Sequence, residues 1–154
     1  MKIEEMYAIP VQGNGWRILP NGNDVKLGNG VTLGNDVKLG DGVTLGDGVT
    51  LGNYVKLGDY VKLGNGVKLG DGVKLGDDGL EFKWSPLQIQ GSRHLLYVAG
   101  PIIIGIGCHR HDAAWWNEHY KAIGKTEGYT SSQTAEYRQW LDVAIAWQSK
   151  LVTV

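Results

Sequence analysis

The sequence predicts a mainly β chain in two parts: a three-sided solenoid of very short parallel strands, then a smaller unit of strands and helices. Three observations predict it. A six-residue period runs without a break from Val25 to Asp78, beginning VKLGNG, VTLGND, VKLGDG and repeating nine times. Of the 24 glycines, 15 lie between residues 21 and 78, whereas all six tryptophans and all four histidines lie outside that stretch. Beyond Leu80 the period stops and gives way first to two-residue alternation and then to helical spacing.

Within each hexad one residue, Lys or Thr, separates Val from Leu. In extended backbone the two apolar side chains therefore point to one side and the polar one to the other. Gly, then Asn or Asp, then usually Gly follow, and this is turn chemistry. Strand and corner alternating make a coil, and three hexads close a triangular turn of 18 residues, so nine hexads give about three coils. Residues 18 apart stack, which sorts the outward positions into three columns: Lys26, Thr44, Lys62; Thr32, Thr50, Lys68; and Lys38, Lys56, Lys74. The third column is a ladder of lysines. A carboxylate column, Asp41, Asp59 and Asp77, stands at the corner that follows it, predicting an edge that neutralises itself. Tyr54 and Tyr60 occupy a corner position that is Gly in five hexads and Asp in two. That position calls for φ > 0, where a bulky side chain is strained, so both tyrosines are expected to contact a neighbouring chain or stack on a ring.

The pattern L-G-x-x-V-x, as in Leu27-Gly28-Asn29-Gly30-Val31-Thr32, resembles the hexapeptide repeat of left-handed parallel β-helix proteins. The resemblance implies the left hand and a homotrimer about an axis parallel to the coil. So short a solenoid also needs capped ends and neighbours. Many proteins of this kind are acyltransferases whose catalytic histidine lies on or beside the coils. These coils carry no histidine and no inserted loop, so an acyltransferase stands behind the readings without chemistry, and no catalytic residue is assigned. The zinc site of carbonic anhydrases on this fold, built from histidines at the trimer interface, cannot be made from these coils either.

Residues 1–20 are expected to form a strand and loop capping the first coil, 21–79 the solenoid, and 80–154 a small α+β domain. In that domain strands are predicted near 87–90, 95–99 and 102–107 as a β-meander. A first helix, about Asp112 to Ile123, places Trp116, Tyr120 and Ile123 on one stripe and stops near Gly124. A second opens with the capping-box pattern Thr130-Ser131-Ser132-Gln133 and carries Tyr137, Trp140, Leu141, Ala144 and Trp147 to about residue 149. The segments PLQIQGSRH, GIGCHRH and IGKTEGYTSSQTAEYRQW resemble the tail domain attached to hexapeptide repeats in small bacteriophage proteins.

Lys plus Arg is 15 against 16 Asp plus Glu, so the net charge of −1 offers no general attraction to a nucleic-acid polymer or an anionic membrane. The longest apolar stretch, Leu95 to Cys108, is 14 residues interrupted by Gly and Pro, short of the roughly 20 a membrane helix needs. The acidic N-terminus without an apolar run, and the lone Cys108, fit a protein of the reducing cytoplasm, the host's if the bacteriophage resemblance holds. Cys108, His109, His111 and His119 match no standard tetrahedral ligand spacing, because a strand would point Cys108 and His109 to opposite faces. No metal or cofactor is assigned. A Cys–His nucleophile would further need an orienting partner that the sequence does not identify.

The expected function is a non-enzymatic homotrimeric binding protein that sequesters a small anion at its subunit interfaces, a nucleotide signal of bacterial defence on the bacteriophage resemblance. Lys38, Lys56 and Lys74 would meet its charge and Tyr54, Tyr60 or Trp115 its ring, with Arg110 and His111 beside Trp115. The alternative is a structural or protein-interaction module trimerised by the solenoid.

Overall fold

The computed structural model describes residues 1–76 and 78–152, the side chains of 151 and 152 excepted. The alternation of Val and Leu inside each hexad sets the first unit, Met1–Pro86. Its strands are β2 (Asp24–Leu27), β3 (Thr32–Leu33), β4 (Lys38–Leu39), β5 (Val43–Leu45), β6 (Thr50–Leu51), β7 (Lys56–Leu57), β8 (Lys62–Leu63), β9 (Lys68–Leu69), β10 (Lys74–Leu75) and β11 (Glu81–Phe82). They form three parallel ladders, β2-β5-β8-β11, β3-β6-β9 and β4-β7-β10. The register steps by 18 residues, Val25↔Val43, Thr32↔Thr50 and Lys38↔Lys56, so all three predicted columns are present. The solenoid has three turns, and β11 begins a fourth with a step of 19, Lys62↔Glu81. Of the 18 hexad Val and Leu side chains, 16 are buried, and the other two, Leu27 and Leu33, belong to the first coil.

Every corner residue has a defined task. At Asp47, Asn53, Asp59, Asn65 and Asp71 the Asn or Asp after Leu-Gly turns its Oδ1 down the solenoid and accepts the backbone N–H of its equivalent one coil earlier, for example from Asn35 to Asn53 at 2.7 Å, from Asp41 to Asp59 at 2.9 Å and from Asp47 to Asn65 at 2.8 Å. The next residue, in the left-handed region, donates its own N–H to a carbonyl of the coil below, as Tyr54 does to Asn35 at 2.8 Å and Tyr60 to Asp41 at 2.7 Å. The Gly ahead of the pair leaves room for this exchange, since a Cβ on Gly34 would stand 2.5 Å from both the backbone nitrogen and the Oδ1 of Asn53. The acidic column also serves the backbone. Asp41 accepts from the N–H of Asp24 and Asp59 from that of Asp41, so one oxygen of each is committed to the backbone rather than turned to the lysines. Asp77 lies outside the described residues, and Asp78 accepts the N–H of Asp59 at 3.2 Å.

The first coil is capped differently from expectation. A helix, α1 (Ile3–Tyr7), and a strand, β1 (Arg17–Ile18), antiparallel to β2, take the place of a simple strand and loop. Ile3, Met6 and Tyr7 recur at helical spacing and Met6 is buried, while the Tyr7 hydroxyl donates to the carbonyl of Gly28 at 2.6 Å and accepts the N–H of Val31 at 3.0 Å.

The second unit, Leu87–Val154, builds its core on a four-stranded antiparallel meander. The strands β12 (Gln88–Gln90), β13 (Leu95–Val98) and β14 (Ile103–Ile106) fall where expected, and β15 (His109–Asp112) is an unforeseen fourth. Its sequence, HRHD, shows no apolar alternation, and among the described residues it is an edge strand of the sheet. Two helices follow, α2 (Ala113–Thr126) and α3 (Ser131–Val152). Asp112 caps α2 by accepting the N–H of Trp115, and the predicted box precedes α3: Gln133 N–H donates to Thr130 Oγ1 at 3.1 Å and Thr130 N–H to Gln133 Oε1 at 2.9 Å. Leu96, Val98, Ile104, Ile106, Trp116, Tyr137, Leu141 and Ala144 form the core, with Trp140 and Trp147 packed at its margin. Gly124 does not end α2. It is buried, and a Cβ there would stand 3.0 Å from Thr134 Oγ1, so this glycine lets α3 approach while Gly128, at φ +78°, makes the left-handed exit. Among the described residues no helix is long and apolar enough to cross a membrane.

Two substitutions test the corner. Gly34→Ala must drive a methyl into backbone and should destabilise the solenoid by about 1–3 kcal/mol in urea denaturation. Tyr54→Gly relieves a side chain held at φ +62° and 62% exposed, and should stabilise it by about 1 kcal/mol; a loss instead would mean that contacts of the ring outweigh the strain.

Candidate functional site

The predicted site residues fall into two groups in different units. On the solenoid, β4, β7 and β10 hold Lys38, Lys56 and Lys74 in register. Tyr54 and Tyr60 sit on the two corners that bound this face at its middle coil, 62% and 58% exposed, at φ +62° and +61°. The Tyr60 ring lies over Gly42 of the coil below, where a Cβ would come within 2.5 Å of it. The sequence thus places two tyrosines at the corners of a face that carries three lysines in register. Like charges at the roughly 4.8 Å spacing of a ladder repel.

In the second unit Arg110 and His111 lie on β15 and Trp115 in the first turn of α2. His111 stacks on the Trp115 indole at 3.4 Å between centroids and 15° between planes, and His119, one turn further on, stacks at 4.2 Å and 14°. Two rings that near one indole centroid avoid each other only on opposite faces. Both faces of Trp115 are therefore covered, and the expectation that it stacks on a bound ring does not fit this arrangement. Burial lowers the pKa of His111 from its ordinary value, helped by His109 and His119 and opposed by Asp112. Arg110 Nε is shut off from solvent with no hydrogen-bond partner among the described atoms.

His109, already weighed as a metal ligand, and residues that the sequence did not single out complete this unit. His109 Nε2 meets Glu127 Oε1 at 2.8 Å, and this bond, before all else, holds the Glu127 carboxyl below its ordinary range. Arg93 donates to the carbonyls of Glu127 at 2.9 Å and Gly128 at 3.2 Å. His94 Nδ1 lies 2.6 Å from the Tyr129 hydroxyl, whose pKa burial pushes far up, so that it stays a neutral phenol. Between α2 and α3 runs a groove of about 700 Å³ lined by Tyr120, Lys121, Lys125, Tyr129, Thr134 and Arg138 among others. The Arg138 guanidinium lies 4.8 Å from the Tyr120 ring centroid and pairs with Asp142 at 2.7 Å. Lys121 and Lys125, four apart on one helical face, were the legible signal for this groove.

The His111 shift gives a pH dependence. A histidine more easily deprotonated in the fold than in the unfolded chain adds stability that is complete above about pH 6.5 and is lost as pH falls through its lowered value. Urea denaturation at pH 7.5 and pH 5.5 should show a loss of stability that shrinks in His111→Asn, and an NMR titration should place His111 below 6.5.

Residues 22–53 match the family model described as bacterial transferase hexapeptide (six repeats). No curated protein and no solved structure matches the chain. The match and the three-turn parallel coil agree, and the solenoid is a hexapeptide-repeat β-helix.

Proposed function

We propose that the chain is a self-associating binding protein: its solenoid draws three copies together, and the groove between α2 and α3 of each takes up a small anion carrying an aromatic ring, of the nucleotide type, without chemical change. A hexapeptide-repeat solenoid is consistent with an oligomerisation or structural module. The observation that carries the ligand reading is the groove itself. About 700 Å³ is within the range of small-molecule sites, and its walls combine Lys121, Lys125 and Arg138 with the rings of Tyr120 and Tyr129. Cations meet phosphate through charge-assisted hydrogen bonds, and Tyr120 and Tyr129 border the space that a heterocycle would fill. On the resemblance of the tail to bacteriophage domains, the nucleotide taken up is a signal of bacterial defence.

A second place for the same anion has its own support. The in-register Lys38, Lys56 and Lys74, between the corners of Tyr54 and Tyr60, offer an anion a column of positive charge. In a purely structural module both surfaces would instead be inert to small molecules.

Thermal unfolding with a panel of cyclic and ADP-ribose-type nucleotides tests the reading. A ligand at a hundredfold excess over its Kd should add about 2.7 kcal/mol of apparent stability. Lys125→Ala and Arg138→Ala should abolish the shift and Lys56→Ala should not; the reverse pattern would move the site to the solenoid. No shift with any member would overturn the ligand reading. Sedimentation should give three times the 16.8 kDa chain mass, and a monomer at micromolar concentration would overturn the assembly.

A further inference from the structure

We propose that Cys108, His109 and Glu127 bind one transition-metal dication of the Zn²⁺ class, with a fourth coordination position left to water. A sulfur, a ring nitrogen and a carboxylate oxygen from these three residues lie within 4.8 Å of one another. That contradicts the sequence argument that Cys108 and His109 point apart. The argument assumed both were in a strand, whereas Gly107 and Cys108 are the two-residue loop between β14 and β15, with Ile106 paired to His109 across it. Gly107 at φ +57° fits the first position of a type II′ hairpin, and the loop frees the Cys108 side chain from the alternation of the strand.

The third donor comes from far along the chain. Glu127 is the C-cap of α2, and the meander returns the start of α2 beside β15 so that its far end reaches the hairpin tip. Both parts are held in place. The His94 ring lies against Gly107, where a Cβ would stand 3.0 Å from His94 Cδ2, and His94 is fixed by the Tyr129 hydroxyl at 2.6 Å. The Tyr137 hydroxyl accepts the N–H of Arg93 at 3.0 Å and donates to the carbonyl of His94 at 2.7 Å. Arg93 in turn grips the Glu127 and Gly128 carbonyls, so the same loop fixes both sides of the site.

Thiolate, imidazole and carboxylate form a donor set of intermediate softness that suits Zn²⁺ or Co²⁺ rather than Mg²⁺ or Ca²⁺, which take oxygen donors. Bonds of about 2.0–2.3 Å place tetrahedral donors roughly 3.3–3.8 Å apart, so closure needs a shift on the order of an ångström, within reach of a rotamer change at the exposed Cys108. Three protein ligands with an open position are the arrangement of metal sites that take water or a further ligand, not of closed structural ones. The proposal is independent of the anion groove, whose walls contain none of the three residues.

Co²⁺ titrated into the reduced full-length protein reads the site directly. The expected result is one equivalent bound, a near-ultraviolet thiolate-to-cobalt charge-transfer band and the strong visible bands of a four-coordinate ion, all displaced by Zn²⁺. Cys108→Ser, a substitution at an exposed position, should lose the charge-transfer band, and His109→Ala should weaken binding at least about tenfold. His119→Ala should change neither, and circular dichroism of each variant should match the parent. Six-coordinate Co²⁺ without a thiolate band, affinity unaltered in Cys108→Ser and His109→Ala, or binding lost in His119→Ala instead, would each overturn the proposal.

Discussion

Each corner of the solenoid must satisfy the backbone of two coils at once, and the Asn or Asp oxygen that reaches an N–H of the preceding coil is what allows it. Strands of two residues supply few ladder bonds of their own, so much of the register between coils rests on these side-chain bridges and on the left-handed residue that follows each. The constraint explains three features of the hexad together. Glycine precedes the Asx because a Cβ would strike the bridge, as at Gly34. The Asx is drawn from Asn and Asp without distinction because both supply the same oxygen. The position after it holds Tyr54 and Tyr60 at φ of +62° and +61°, where the N–H of each is held by a carbonyl of the coil below. From the fixed 18-residue step come the stacked lysines, and from the tolerated strain come the tyrosines beside them.

Close approach also organises the second unit. A Cβ on Gly105 would collide with the Tyr97 ring and one on Gly91 with the Tyr137 ring, while Gly124 admits α3 against α2. These contacts bring the β14–β15 hairpin, the β12–β13 loop and the end of α2 together, so that Arg93, His94, Cys108, His109 and Glu127 converge although they come from three separate stretches of chain. The groove and the proposed metal site then occupy different sides of the α2 terminus, one built from its lysines and the other from its C-cap glutamate.

The sequence made the solenoid legible to the level of individual columns, because a period of six with an apolar pair has one geometrical consequence. The corner aspartates were less legible, since a carboxylate that bridges backbone and one that pairs with lysine leave the same letter in the same place. In the tail, the capping box and the core stripe of Tyr137, Leu141 and Ala144 were readable from spacing. The strand His109–Asp112 was not, because an edge strand of alternating charged residues carries no hydrophobic period. Gly124 read as a helix stop because sequence does not distinguish a glycine needed for φ > 0 from one needed for clearance. Glu127 was invisible as the partner of His109, since 18 residues and a whole helix separate them.

The most direct test of the corner bridge is amide hydrogen exchange, resolved by residue, at Asn35, Asp41, Asp47 and Asn53. All four amides are at exposed or half-buried corners, yet each donates to an Asn or Asp oxygen 18 residues ahead. If these bonds set the register, the four should be protected to the same degree as the strand amides of Thr44, Thr50 and Lys56. Exchange at the rate of an unstructured turn, with the strand amides protected, would contradict the account.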